Sequence, residues 1–230
     1  MDSIILGIET GGDNCSVVLA KGNEIIALKE DGGREHSKYL SVFIDDIIND
    51  SGLSYRDIDA VAVSKGPGSY TGLRIGIATA KGICYGTGKP LIAINSLLSL
   101  TSMCRNTFTP VSSQLLYCPL IDARRLEVYT ALFDMSLCQL SDTEAMIINE
   151  NSFAEILSEQ KVCFFGSGAN KCKEIITSPN AVFVEIDNSA SGLVYPAIEA
   201  FNNKQFEDTA YFEPFYLKDF VVSRRQSSFL

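Results

Sequence analysis

The chain has 230 residues, of which 46% are hydrophobic and 20% charged, so it is long enough to bury a sizeable core and is not a disordered tail. Nineteen Lys and Arg against 28 Asp and Glu give a net charge of −9. Because nucleic-acid binding draws most of its affinity from basic side chains that neutralise phosphates, this balance excludes simple RNA-binding interpretations unless a partner supplies the positive surface.

The first half of the chain predicts one α/β lobe. Apolar runs joined by tight turns predict a strand meander, and a change to i, i+3, i+4, i+7 spacing then predicts an amphipathic helix. A buried strand, a second helix and a further strand complete the alternation. The predicted elements are strands at 3–9, 15–20 and 24–28, a helix from Ser37 to before Ser51, a strand at 58–63, a helix at 70–85 and a strand at 90–94.

The second half repeats this order, with a hairpin first and alternation after it. Its predicted elements are strands at 115–121 and 126–133 around the turn 122–125, a helix at 152–157, a strand at 162–165, a helix at 169–176, a strand at 181–185 and a helix at 191–201. No Pro/Ser-rich linker separates the halves. We therefore expect two closely packed lobes, residues 1–96 and residues 97–230, the second including a returning C-terminal segment.

The seven cysteines and the N-terminus indicate the compartment. The cysteine number is odd, no pair has CxxC spacing, and most cysteines lie in apolar stretches such as 82–85 and 162–164, a pattern typical of small buried side chains in a reducing environment. The N-terminus lacks the basic region of a secretory signal, and no apolar run approaches the roughly 20 residues of a membrane span. We expect a soluble, cytoplasmic protein.

The most specific motif is the glycine-rich run 64–76, between a buried strand and a helix. Gly66 and Gly68 permit backbone conformations that a Cβ would forbid, and Ser69 or Thr71 can cap the helix. One interpretation is a cradle for phosphate or carboxylate, since free N–H groups at a helix N-terminus can hold an anion. The other is a tight, capped turn, because the spacing matches neither common phosphate-binding glycine motif.

An acid and a hydroxyl, Glu9 and Thr10, end the first predicted strand. They are suited to a nucleotide phosphate or its magnesium ion, since hard cations choose carboxylate oxygens. The same residues are equally compatible with a plain hairpin turn.

The single histidine, His36, limits the chemistry. It allows no HExxH or HxxxH metal-binding pair, and no GxSxG elbow accompanies it. We therefore expect no metal site and no catalytic residue.

Small residues recur every fourth position along the second predicted helix. Glycine costs about 1 kcal/mol relative to alanine within a helix, so close contact with another element should compensate, either inside this chain or in a partner. On the first helix, Tyr39 and Val42 lie off the apolar stripe and are expected to be exposed. The predicted partner interface, used for self-dimerisation or for another subunit, is Tyr39, Val42, Gly72, Leu73, Gly76, Ile77 and Ala80.

Together these motifs resemble the TsaB (YeaZ) family. The resemblance covers most of the chain, is strongest over residues 3–95, and is most specific in the glycine-rich run. The segments that carry it are Ile8-Glu9-Thr10, Arg34-Glu35-His36-Ser37, the run from Gly66 to Gly76, Asp122-Ala123-Arg124-Arg125 and Pro214-Phe215-Tyr216-Leu217. Thr10-Gly11-Gly12 departs from the Thr-Ser usual at the first turn of the family.

The resemblance implies an actin-like, ASKHA-type α/β fold of two related lobes, each a mixed sheet with flanking helices. It also implies a non-catalytic scaffold for the complex that adds threonylcarbamoyl to adenosine 37 of tRNAs reading codons that begin with A. The implied partners are the metal-binding catalytic homologue TsaD, which holds its metal with an HxxxH pair, and the small ATPase TsaE. Contact with tRNA would occur through the complex, and the chain alone would be a homodimer.

Two enzyme functions remain as alternatives. The first is an ATP-hydrolysing member of the same fold, with Glu9 or Asp13 near magnesium and the loop 66–71 near phosphate. The second is a glycoprotease-like metallopeptidase of the M22 class, the older label of relatives. We expect no intrinsic cofactor, and ATP or ADP with magnesium at a subunit boundary is left open.

Overall fold

The computed structural model describes residues 2–32, 36–108 and 115–218. The strands are β1 Ile4–Glu9, β2 Cys15–Lys21, β3 Glu24–Asp31, β4 Ala60–Gly66, β5 Leu91–Asn95, β6 Leu115–Asp122, β7 Glu127–Thr130, β8 Glu144–Ile147, β9 Lys161–Phe165 and β10 Ala181–Val184. The helices are α1 His36–Asp50, α2 Tyr70–Thr87, α3 Ser96–Thr107, α4 Ala154–Glu159, α5 Ala169–Lys173 and α6 Val194–Asn202, the last preceded by a 3-10 turn at Ala190–Leu193.

The first sheet has the strand order β3-β2-β1-β4-β5. β1 pairs antiparallel with β2 and parallel with β4, so the predicted meander leads into parallel strands and the sheet is mixed. Strands buried on both faces are nearly continuous apolar runs, and β1, β2 and β4 follow this rule except at their polar ends and at Ser16. Helices α1 and α2 cover one face of the sheet, and α6 with its 3-10 turn covers the other.

The second sheet has the order β10-β9-β6-β7-β8 and is also mixed. β6, β9 and β10 run parallel, whereas β7 and β8 add an antiparallel meander. Helices α4 and α5 pack on one face, and α3 packs on the other through Leu97, Leu100 and Cys104. The predicted pair of mixed-sheet lobes with flanking helices is confirmed.

Two elements were not predicted, α3 and β8. The α3 segment is rich in Ser and Thr, which compete with the helix backbone for hydrogen bonds. Its start signal is Asn95, whose side chain accepts a 2.8 Å hydrogen bond from Leu97 N. The strand predicted at 126–133 is too long. In the structure β7 pairs with β6 and β8 only as far as Thr130.

The chain returns to the first lobe near its end. Helix α6 packs on the first sheet, although it follows the second sheet in sequence. We call residues 207–218 the C-terminal strap. Glu207 forms an isolated antiparallel bridge with Leu91 on β5, and Lys81 Nζ donates to the carbonyls of Ala210 at 3.2 Å and Phe212 at 3.0 Å. The last strand of the first sheet ends at Asn95, so the predicted division between residues 96 and 97 lies between the two sheets. It does not separate the lobes completely, because α6 packs on the first sheet.

Six of the seven cysteines are buried and Cys138 is exposed, as expected for small apolar side chains. Desolvation raises the pKa of the Cys15 and Cys84 thiols to about 11, which keeps them protonated. Among the residues that the structure describes, no helix combines the length and apolar character needed to cross a bilayer.

Candidate functional site

The glycine-rich loop packs directly on the turn after β1. Ser69 N donates to Gly11 O at 2.7 Å, and a Cβ at Gly68 would lie 2.4 Å from the same oxygen. Glycine at position 68 is therefore required by a close approach of two backbones. Gly66 has a φ of 112°, which also favours glycine. The structure thus brings together the two segments that sequence analysis singled out at the ends of β1 and β4.

Glu9 lies at the centre of this junction and is only 1% exposed. Its Oε1 accepts hydrogen bonds from Gly11 N and from Ser64 Oγ, both at 2.7 Å. Burial raises the pKa of the carboxyl to about 7, although these hydrogen bonds oppose the rise. Glu9 therefore ties β1 to β4 and titrates near neutrality.

Thr10 is also buried, and its Oγ1 donates to Gly72 O at 2.8 Å. Both side chains of this strand end thus point into the protein and contact its own backbone. Binding of an anion or nucleotide by Glu9 and Thr10 stays a prediction, and neither side chain is accessible to solvent in this conformation.

At the start of α2, Ser69 and Thr71 are exposed. Ser69 Oγ accepts a 3.3 Å hydrogen bond from Gly72 N, so the predicted helix cap is confirmed. The prediction of an anion cradle at Gly66, Gly68, Ser69 and Thr71 is untested and stays a prediction.

The C-terminal strap lies against the same loop, which sequence reasoning did not foresee. Phe215 N donates to Lys65 O at 2.7 Å, and Phe215 O lies 2.5 Å from the position that a Cβ at Gly66 would take. Arg74 Nε donates to Tyr216 Oη at 2.9 Å while its guanidinium stacks 4.1 Å above the Tyr70 ring. The run 214–217 was the available sequence signal for this contact, but it served only as part of the family resemblance and predicted no contact.

The inner face of α2 requires a correction to the predicted partner interface. A Cβ at Gly72 would lie 2.0 Å from Thr10 O, and one at Gly76 would lie 2.2 Å from Thr10 Oγ1. The small residues therefore let the helix approach the end of β1 in the same chain. The interface prediction is wrong for residues of α2 that are buried in this internal contact, namely Gly72, Leu73, Gly76, Ile77 and Ala80.

The outer faces of α1 and α2 are a different surface. Val42 on α1 is 49% exposed and Tyr85 on α2 is 89% exposed. Ala78 and Gly82 lie on the same side of α2 as Tyr85 and are exposed too, and a Cβ at Gly82 would meet no atom within 4 Å. We call the outward residues Tyr39, Val42, Ala78, Gly82 and Tyr85 the helical face. Tyr39 is half-buried and stacks on Phe43, and its interface role, like that of Val42, stays a prediction.

The helix α1 begins at His36, but the side chain of this residue lies outside the described part of the chain, as do residues 33–35. Within the described ranges no group of three or more His, Cys, Asp or Glu side chains is arranged to hold a metal ion.

Comparison with known proteins adds three findings. The family model described as "TsaD: tRNA N6-adenosine threonylcarbamoyltransferase" matches residues 23–221. A TsaB protein of tRNA threonylcarbamoyladenosine biosynthesis from Escherichia coli is 35% identical over 148 residues, which cover 62% of this chain and 62% of the relative. The TsaB protein of Bacillus subtilis is 29% identical over 214 residues, 88% of each chain.

Solved structures support the same architecture. A Pseudomonas aeruginosa protein described as similar to peptidase YEAZ superposes with a TM-score of 0.82 at 20% identity, over 94% of this chain and 100% of that chain. A second structure, YeaZ from the same organism, has a TM-score of 0.80 over the same shares. At this identity the likeness establishes the two-lobed fold.

Proposed function

Since the chain belongs to the TsaB (YeaZ) branch of the tRNA N6-adenosine threonylcarbamoyltransferase family, we propose that it is a cytoplasmic, non-catalytic scaffold in the synthesis of threonylcarbamoyladenosine on tRNA. It would bind and activate a homologous catalytic subunit of the TsaD type, with a TsaE-type ATPase joining them.

The observation that carries this proposal is the helical face. It is an exposed surface on two neighbouring helices, with an aromatic side chain at Tyr85 beside positions 78 and 82, which have short or no side chains. Large aromatic anchors next to small residues are typical of helix-to-helix interfaces, since the small residues let a partner helix approach closely. A homologous subunit of the same fold would offer such a helix pair.

The sequence also supports a non-catalytic role. One histidine cannot form the histidine pair that, by resemblance, holds the metal of the catalytic homologue. The net charge of −9 favours a subunit whose contact with tRNA depends on its partners.

The test is reconstitution of tRNA modification from this chain, the catalytic homologue and the ATPase, with and without ATP and magnesium. The informative variant is Ala78→Leu on the helical face. Its matched control is Ala154→Leu, the same change at an exposed position of α4 in the other lobe. We expect Ala78→Leu to weaken association by about tenfold or more and to lower modification in parallel, because overpacking costs an interface about 1–3 kcal/mol.

Two results would contradict the proposal. One is efficient modification by this chain without the catalytic homologue. The other is equal activity of the Ala78→Leu and Ala154→Leu proteins at subunit concentrations near the dissociation constant. Light scattering of this chain alone tests the homodimer prediction with the same pair, since Ala78→Leu should shift a dimer to a folded monomer.

A further inference from the structure

The turn between β6 and β7 carries two arginines in an unusual backbone conformation. Arg124 has a φ of 73° and Arg125 a φ of 52°, both in the left-handed region that glycine adopts most easily. Arginine thus occupies two positions where glycine would relax the backbone. We call Arg124, Arg125 and the following Leu126 the Arg tip.

Hydrogen bonds from and to neighbouring side chains fix the backbone of the Arg tip. Lys171 Nζ donates to Arg125 O at 2.9 Å and to Glu127 O at 2.6 Å. Arg124 N donates to Asp122 Oδ1 at 2.8 Å. The turn is therefore ordered before any ligand arrives, which lowers the entropy cost of binding through it.

The charges around the Arg tip leave both guanidiniums unneutralised. The flanking acids, Asp122 and Glu127, pair with Lys171 and Lys218 respectively. Neither Arg124 nor Arg125 forms an ion pair with any residue that the structure describes, and both are exposed. A locally basic point thus stands on a chain whose net charge is −9.

An apolar groove adjoins this basic point. Leu126 is 51% exposed and forms one wall of an open groove of about 460 Å³. The partly exposed Ile175 supplies further apolar surface, and the buried Ile148 lies beneath it. The groove is lined by Leu126, Ile148, Asn149, Glu150, Asn151 and Ile175.

We propose that the Arg tip and this groove form a docking site for an acidic protein segment that carries an apolar anchor residue. Each guanidinium can bind a carboxylate through two hydrogen bonds, and arginine is enriched among the residues that dominate interface energies. A protein segment fits better than RNA, because phosphate binding has no use for the apolar groove and the remaining surface is acidic. The site lies on the second sheet, whereas the helical face lies on helices of the first.

Photo-crosslinking of the full-length protein tests the proposal. A benzophenone amino acid replaces Leu126 in the test protein and Ile26, an exposed residue of β3, in the control. After irradiation in an extract of the source cell, mass spectrometry identifies the crosslinked peptide. We expect an adduct at position 126 on a peptide with several carboxylates around an apolar residue. Its yield should fall about tenfold or more with Arg124→Glu/Arg125→Glu and in about 0.5 M salt.

Several results would overturn the proposal. They are the lack of an adduct specific to position 126, an adduct with RNA, a crosslinked peptide without carboxylates, and a yield that is insensitive to the charge reversal. None of these bears on the helical face, so this proposal can fail without the proposed function failing.

A second variant separates docking from folding. Arg124→Gly/Arg125→Gly removes the charges and relaxes the backbone, so the thermal midpoint should rise by about 2–4 °C while the adduct is lost. Docking is supported if this variant loses the adduct and its thermal midpoint is not lower than that of the wild type. A lowered midpoint means that the arginines stabilise the fold, and it overturns the proposal, as does an adduct that survives.

Discussion

A Cβ at Gly76, on the inner face of α2, would lie 2.2 Å from Thr10 Oγ1, whereas a Cβ at Gly82, on the outer face, would meet no atom within 4 Å. The two glycines are six residues apart in one helix and cost it the same intrinsic stability. At Gly76 the cost is offset by contact with the end of β1, and at Gly82 nothing in the described chain offsets it. The spacing of small residues therefore locates close approaches but does not tell which partner makes them.

The largest effect that follows is on the inner face. Replacement of Gly76 by Leu places a side chain where Thr10 already packs, so we expect Gly76→Leu to destabilise the fold by about 4 kcal/mol or more. Urea denaturation measures the loss. Gly82→Leu is the control and should not lower the midpoint, because a side chain at this position meets no atom and favours the helix more than glycine does. Equal stability of the two variants would remove the distinction between the faces.

The next effect concerns Glu9, which lies beneath the inner face. Its pKa rises from 4.5 to about 7 on burial, so the folded state keeps a proton that the unfolded state releases between these values. Stability is therefore lost as the pH rises through this window, and Glu9→Gln removes the loss. We expect the variant to exceed the wild type by about 3 kcal/mol at pH 8 and to approach it near pH 4. Free energies of unfolding measured across the pH range should converge only at low pH.

Ser64 supports the same junction more weakly. Ser64→Ala removes the 2.7 Å hydrogen bond to Glu9 Oε1 and should cost about 1–2 kcal/mol. The pKa of Glu9 should rise further, because this hydrogen bond lowers it. The control is Ser102→Ala, since the buried Ser102 hydroxyl has no hydrogen-bond partner among the described residues. If both substitutions have the same effect, Ser64 does not act through Glu9.

The smallest expected effect is that of a methyl group added on the outer face of α2. Gly82→Ala should stabilise the isolated chain by about 0.5–1 kcal/mol, because the added methyl group meets no atom and restricts the unfolded chain. Gly76→Ala should destabilise it, since the Cβ itself meets Thr10. Thermal denaturation of this pair should give shifts of opposite sign.

Much of the fold was predictable because pattern and burial agree locally. Strands β1 and β2 are mostly apolar runs followed by turn formers, and α1 shows the spacing of a helix packed on one face. Helix α3 was missed because its serines and threonines mask a stripe of Leu97, Leu100 and Cys104. That stripe is apolar because it packs against the second sheet, a contact that the pattern of α3 alone does not show.

The candidate site was less predictable, since it depends on which surfaces meet. The sequence located the glycine-rich loop and the Glu9-Thr10 turn, but it did not show that Gly68 packs on Gly11. It also selected the inner row of α2 as a partner surface, because i, i+4 spacing is identical for internal and external contacts. The strap contacts at Phe215 join residues about 150 positions apart, beyond any local pattern.

The return of α6 and the strap to the first sheet has a consequence for synthesis. One face of that sheet is covered by residues 190–200, and Phe212 packs against the core on the other face. When β1 to β5 have left the ribosome, one side of their sheet is still without its cover and exposes Ile5, Val18 and Ile92. The N-terminal lobe therefore completes its folding only after nearly the whole polypeptide has been translated, and the nascent chain must shield that apolar face in the meantime.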